Sequence, residues 1–123
     1  MIRVLQLEDD PDITEICEMA LGLSGNFELL QCSSGPEAIK RAPDFKPDLM
    51  LIDVMLPGMS GPEALSHLRT LRGLDSVPAI YFTARLQKGE VNDLMYQGAA
   101  KVIAKPFDPM TLGDELLEVL KNQ

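Results

Sequence analysis

The chain of 123 residues has no tryptophan, two cysteines and one histidine, and only 5% of it is aromatic. Cys17 and Cys32 show neither a Cys-x-x-Cys spacing nor a neighbouring histidine cluster, which excludes a readable zinc site or thioredoxin-like redox motif. Both are expected to be buried, reduced thiols rather than a disulfide. Long apolar runs are also missing: Leu49 to Ile52 is far too short to span a membrane. Positive charge is scarce, with 11 Lys and Arg against 19 Asp and Glu and a net charge of −8, so the field of the molecule repels nucleic acid and anionic lipid. Neither is an expected partner. The opening Met1-Ile2-Arg3 leads straight into a strand-like segment without a signal-sequence pattern, and the expected compartment is the cytoplasm.

What is present is an ordinary globular balance, 46% hydrophobic and 24% charged, on a chain of single-domain length, so residues 1–123 are expected to form one domain. Strand-like segments fall at Ile2 to Leu7, Glu28 to Gln31, Asp48 to Val54, Val77 to Phe82 and Val102 to Ala104. Between and after them, apolar residues recur at helical spacing. The groups are Ile13, Ile16, Cys17, Ala20 and Leu21; Ala64, Leu65, Leu68 and Leu71; Val91, Leu94 and Met95; and Leu112, Leu116, Val119 and Leu120, while Glu37 to Arg41 reads as a short helix. Asp10-Pro11, Gly35-Pro36, Gly61-Pro62 and Asp108-Pro109 each put a proline at an expected first helical position behind an expected cap, and Gly98 suits the end of the fourth helix. The methionines are expected to be mostly core or loop filler. Strands alternating with helices predict an α/β protein with a parallel sheet covered on both faces, and such sheets place their ligand sites beyond the carboxyl ends of the strands.

The residues at those ends are Glu8 and Asp9, Asp53, Thr83 and Lys105. Three carboxylates gathered at one edge call for a compensating cation, and an all-oxygen donor set suits magnesium better than zinc. A hydroxyl and an ammonium beside them suit the oxygens of a phosphoryl group being transferred onto a carboxylate, with Asp53 as the central acceptor. Asp10, ahead of Pro11, is expected to cap a helix rather than bind metal, and His67 lies off its helical stripe and is expected to be exposed.

Four segments in order, Leu7-Glu8-Asp9-Asp10-Pro11, Leu51-Ile52-Asp53 running on through Met55-Leu56-Pro57-Gly58 to Gly61, Phe82-Thr83-Ala84 and Lys105-Pro106-Phe107, closely resemble the receiver domain of two-component response regulators. The resemblance runs from Arg3 to about Leu120. It implies a flavodoxin-like, doubly wound sheet of five parallel strands in the order 2-1-3-4-5 with five helices. It further implies that Asp53 takes a phosphoryl group from a phosphohistidine of a sensor histidine kinase or histidine phosphotransfer protein. Mg2+ would be held by Asp9, by Glu8 largely through water, by Asp53, and by the backbone carbonyl of Met55. Thr83 and Lys105 would bind phosphoryl oxygens, and the Lys105-Pro106 peptide would be cis. Catalysis would be limited to the domain's own phosphorylation and slow dephosphorylation. Met55 and Arg85 are expected to flank the pocket and set water's access to the phosphoryl group.

One position departs from the family pattern: Val102 stands where many receivers carry an aromatic residue that turns inward on phosphorylation. This favours the alternative of a phosphorylation-independent interaction module, against which the full set of acidic, Thr83 and Lys105 positions counts. A phosphatase with an aspartyl intermediate would need a second acid two positions after the nucleophile, where Met55 stands, and a flavin protein would need a glycine-rich phosphate loop after the first strand. The downstream protein or fused output domain, and any dimer linked to phosphorylation, are not legible in the sequence.

Overall fold

The structure, a computed structural model, describes residues 1–84, 93, 95 and 98–122. The elements are β1 (Ile2–Leu7), α1 (Pro11–Ser24), β2 (Phe27–Cys32), α2 (Gly35–Phe45), β3 (Leu49–Asp53), α3 (Gly61–Arg69), β4 (Ala79–Thr83), β5 (Lys101–Ala104) and α4 (Pro109–Lys121). Every neighbouring strand pair is parallel, in the order β2-β1-β3-β4-β5. This is the expected doubly wound sheet, with four helices among the described residues. Of the helix expected around Val91, Leu94 and Met95, the first two residues lie outside the described residues. Asp93 and Met95 are helical, and Gly98 has φ 101° with its N–H on the Met95 carbonyl. Among the described residues no helix is long and apolar enough to cross a membrane.

Buried runs explain the middle of the sheet. Every residue of β3 and β4 is buried, whereas the edge strands β2 and β5 are mostly half-buried, as a parallel sheet covered on both faces requires. The two-residue alternation sorts side chains between two cores. Leu5, Leu7, Met50, Ile52 and Tyr81 face α2 and α3, where Ala38, Ala42, Ala64 and Leu68 meet them. Val4, Leu49, Leu51, Ile80 and Phe82 face α1 and α4, against Cys17, Leu21, Leu112 and Leu116. Both cysteines are free and buried.

The helix starts follow the sequence with one correction. Asp10 and Asp108 cap α1 and α4 as expected, accepting from the N–H of Asp12 and Met110, with Pro11 and Pro109 first in the helix. In α2 and α3 the caps are Ser34 and Ser60, not Gly35 and Gly61. The serine hydroxyls accept from the N–H of Glu37 and Glu63, which a glycine cannot do, and the prolines move to the second helical position. The glycines are there for space. A Cβ at Gly35 would lie 2.5 Å from Met59 Sδ, and one at Gly61 would overlap the Asp53 carbonyl oxygen and stand 3.0 Å from Val54 Cα.

The methionines need correcting too. Met50 alone is fully buried, while Met1, Met19, Met55, Met95 and Met110 are exposed. Met19, Met95 and Met110 are exposed positions within helices, so they are neither core nor loop filler.

Candidate functional site

The carboxyl edge of the sheet is assembled by the strands themselves. Glu8 extends β1 with its N–H on the Cys32 carbonyl (3.0 Å), Val54 leaves β3 with its N–H on Phe82 (3.0 Å), and Lys105 leaves β5 with its N–H on Thr83 (2.9 Å). These backbone bonds fix the bases of Glu8, Asp53, Thr83 and Lys105 on adjacent strands. The Lys105–Pro106 peptide is cis, and Phe107 stacks on Phe82 with ring centroids 4.9 Å apart.

Lys105 Nζ lies 2.7 Å from Glu8 Oε1 and 3.1 Å from Asp53 Oδ2, bridging the two acids. The other Asp53 oxygen accepts from the Met55 N–H at 3.2 Å, and the other Glu8 oxygen from the Asp10 N–H at 3.2 Å. Glu8 is 1% exposed, Asp53 5% and Thr83 3%, whereas Asp9 is exposed. Oxygens of Glu8, Asp9 and Asp53 all lie within 4.8 Å of one another. Burial pushes the Glu8 carboxyl up to about 7, more than the Lys105 ammonium pulls it down, and nearby Asp53 adds to the rise. Burial alone would lower Lys105, but its hydrogen bonds and charge contacts with Glu8 and Asp53 outweigh it and hold the ammonium above its usual range.

The geometry gathers Glu8, Asp9, Asp53, Thr83 and Lys105 at one edge, as the sequence predicts. One expectation is qualified: Lys105, expected on phosphoryl oxygens, here engages two carboxylates. Asp10 serves as a helix cap, and His67 is exposed on α3. The Met55 side chain is 64% exposed beside Asp53, while Arg85 lies outside the described residues. Val102 faces Tyr81 across the β4–β5 pairing, so the buried aromatic at this level is on β4; burial raises its phenol to about 12.

The donors fit a small hard cation. They are oxygens only, they carry more negative charge than one ammonium offsets, and exposed Asp9 leaves a side open to approach. Chemically, a buried carboxylate with an ammonium 3.1 Å away and an acidic cation seat beside it is equipped to receive an anionic, electrophilic group. Sequence reasoning missed Gln6 and Gln31. Gln6 interrupts the apolar run of β1, which was the available signal, and the two amides pair beneath the acidic residues, with Gln31 Nε2 donating to Gln6 Oε1 at 2.9 Å.

Known proteins resemble this chain in sequence and fold. A family model for the response regulator receiver domain matches residues 4–117. The DNA-binding response regulator MtrA of Mycolicibacterium smegmatis is 34% identical over 110 residues, covering 89% of this chain and 46% of the relative. The phosphate regulon transcriptional regulatory protein PhoB of Pseudomonas aeruginosa is 34% identical over 119 residues, covering 97% and 52%. This chain thus spans about half the length of the curated relatives it matches. Among solved structures, the chemotaxis response regulator CheY4 of Vibrio cholerae superposes with a TM-score of 0.88 at 27% identity, covering 97% of this chain and 98% of the other. With sheet order, acidic edge and sequence in agreement, the chain belongs to the receiver domain family of two-component response regulators.

Proposed function

We propose that this domain is a switch thrown by phosphorylation of Asp53, with a phosphohistidine of a sensor histidine kinase or histidine phosphotransfer protein as the donor. The observation that supports this most is the Asp53 carboxylate, 5% exposed at the end of β3, 3.1 Å from Lys105 Nζ and grouped with Glu8 and Asp9. An Asp53 oxygen forms the new O–P bond as the donor's N–P bond breaks, and the departing imidazole takes a proton from solvent. Lys105 supplies positive charge to the phosphoryl oxygens, moving off Glu8 and Asp53 to do so, and the Thr83 hydroxyl donates to another oxygen. Glu8, Asp9, Asp53 and the Met55 carbonyl would hold Mg2+, which when bound offsets the negative charge of the acceptor and the incoming group. Water attack on phosphorus later breaks the O–P bond, releasing inorganic phosphate and restoring the carboxylate, so the domain catalyses only its own phosphorylation and slow dephosphorylation.

The residues two positions past Asp53 and Thr83 set the lifetime of that state. Met55 and Arg85 restrict water, so Met55→Ala and Arg85→Ala shorten the aspartyl phosphate half-life; an unchanged half-life in both rejects this role. The altered face is read in the cytoplasm by a downstream protein or by a fused output domain, as the names of the DNA-binding relatives suggest. Phosphorylation-linked dimerisation is a further route for that output.

The test is intact mass after incubation with acetyl phosphate, with and without Mg2+, for wild type and Asp53→Asn. The expected result is a Mg2+-dependent gain of one phosphoryl group, lost in the variant. No gain, together with no Mg2+ binding by calorimetry, contradicts the proposal and favours a phosphorylation-independent interaction module, the reading to which Val102 lends weight.

A further inference from the structure

Beneath the acidic pocket lies a pair of amides whose orientations are forced. Gln6 on β1 and Gln31 on β2 are register partners. Gln31 Nε2 donates to the Thr14 carbonyl in the first turns of α1 at 2.7 Å and to Gln6 Oε1 at 2.9 Å. Because the Thr14 atom that Gln31 meets is a carbonyl oxygen, which can only accept, Gln31 must present nitrogen there, and Gln6 must then present oxygen to Gln31. The Gln6 Nε2 is thereby turned the other way, where it is fully buried and has no oxygen or nitrogen to donate to. Its polar neighbour is the Cys17 thiol, a weak acceptor. A buried amide with an unmet N–H costs stability, and an apolar side chain at the same place would not.

The location gives this cost a purpose. Gln6 stands two residues before Glu8, and Thr14 lies just beyond Asp10, the cap that opens α1, so the amide bridge clamps both ends of the Glu8-Asp9-Asp10 segment. Gln31 also lines the cleft of about 260 Å3 shared by Glu8, Asp9 and Thr14. We infer that Gln31, oriented by Gln6, is a positioning residue for the acidic pocket: by tying the first turns of α1 to the sheet it fixes where Asp9 stands relative to Glu8 and Asp53. This rests on the reading of those acids as the seat of a cation.

The double variant Gln6→Leu/Gln31→Leu separates positioning from plain structural support. It removes the unmet N–H and leaves no amide stranded, so the metal-free melting temperature is expected to equal or exceed that of wild type. Mg2+ affinity by calorimetry is expected to fall about tenfold, the scale at which loss of groups that orient metal ligands is felt. In the metal-free protein, amide exchange over residues 12–16 is expected to quicken several-fold with exchange in β3 unchanged. Gln6→Leu alone, which deletes only the unsatisfied member, is the second variant and should shift both readouts in the same directions. A double variant that binds Mg2+ like wild type, or whose residues 12–16 exchange like wild type, overturns the inference and leaves the functional reading standing. A wild type that binds no Mg2+ overturns the functional reading itself and the inference with it.

Discussion

Replacing Gly61 by alanine tests how the loop after Asp53 is held. In most helices glycine to alanine gains about 0.5–1 kcal/mol, because alanine gives up less backbone freedom on folding. At Gly61, the first residue of α3, the sign should reverse. The new Cβ would overlap the Asp53 carbonyl oxygen, with Val54 Cα at 3.0 Å and the Asp53 carbonyl carbon at 3.1 Å. All three are backbone atoms, and the Gly61 N–H is tied to the Val54 carbonyl at 3.0 Å, so no side chain can swing aside. The end of β3 or the start of α3 has to move. Forced overpacking of this kind costs about 1–3 kcal/mol, which for a domain of this size lowers the melting temperature by roughly 3–15 °C. The same shift moves the acceptor, and phosphorylation by acetyl phosphate should slow by about tenfold or more. Gly22→Ala is the control: it lies within α1 with nothing inside 4 Å of its would-be Cβ and should gain about 0.5–1 kcal/mol. Thermal melting of both variants without Mg2+ reads the contrast. Gly61→Ala melting at or above wild type refutes the close-approach argument.

Other consequences follow from burial. Desolvation raises the Cys17 and Cys32 thiols from 9.0 to about 11. The unfolded chain therefore releases these protons first, and each thiol's contribution, complete below pH 9, is lost as the pH rises to 11. That is at most about 2.7 kcal/mol each, and urea unfolding at pH 8.5 and 10.5 should show a fall that Cys17→Ala reduces. Burial likewise raises Glu8 to about 7, so the metal-free protein loses stability as pH rises from 4.5 through 7 and Mg2+ binds better over the same window. A hundredfold excess of Mg2+ over its Kd should add about 2.7 kcal/mol, and at a fixed Mg2+ concentration the gain in melting temperature should be larger at pH 8 than at pH 5.5; equal gains contradict this placement of Glu8. Arg69 donates from Nη1 to the carbonyls of Leu74 and Val77, pinning the segment between α3 and β4. Arg69→Met strands those carbonyls and should cost about 1–3 kcal/mol in urea unfolding.

The legible parts of this protein were those written in periodicity. Unbroken apolar runs such as Leu49 to Ile52 announced buried parallel strands, and the acids, hydroxyl and ammonium stood at the ends of those runs, so the site could be listed before its geometry was known. Strand order came from family resemblance, since periodicity does not say which strands are neighbours. Local detail was lost where two residues compete for one role. Gly35 and Gly61 look like caps in front of proline, but a hydroxyl one position earlier satisfies the helix N–H groups and the glycines answer to crowding. Helix α2 runs on to Phe45 through Pro43, beyond the expected stop at Arg41, because a proline near the end of a helix removes only one of its last bonds before Lys46 closes it at φ 55°. Gln6 shows in the sequence only as a break in the apolar run of β1, because its partner Gln31 is distant in sequence and adjacent only once β1 and β2 pair.

The proposed switch depends on Asp53 as the acceptor, and the most direct measurement locates the phosphoryl group. Protein phosphorylated with acetyl phosphate and Mg2+ is reduced with borohydride, which converts an aspartyl phosphate to homoserine, then digested and sequenced by tandem mass spectrometry. Homoserine at position 53, absent when Mg2+ is withheld, is the predicted result. Homoserine at Asp9 or another acid, with Asp53 unmodified, contradicts it.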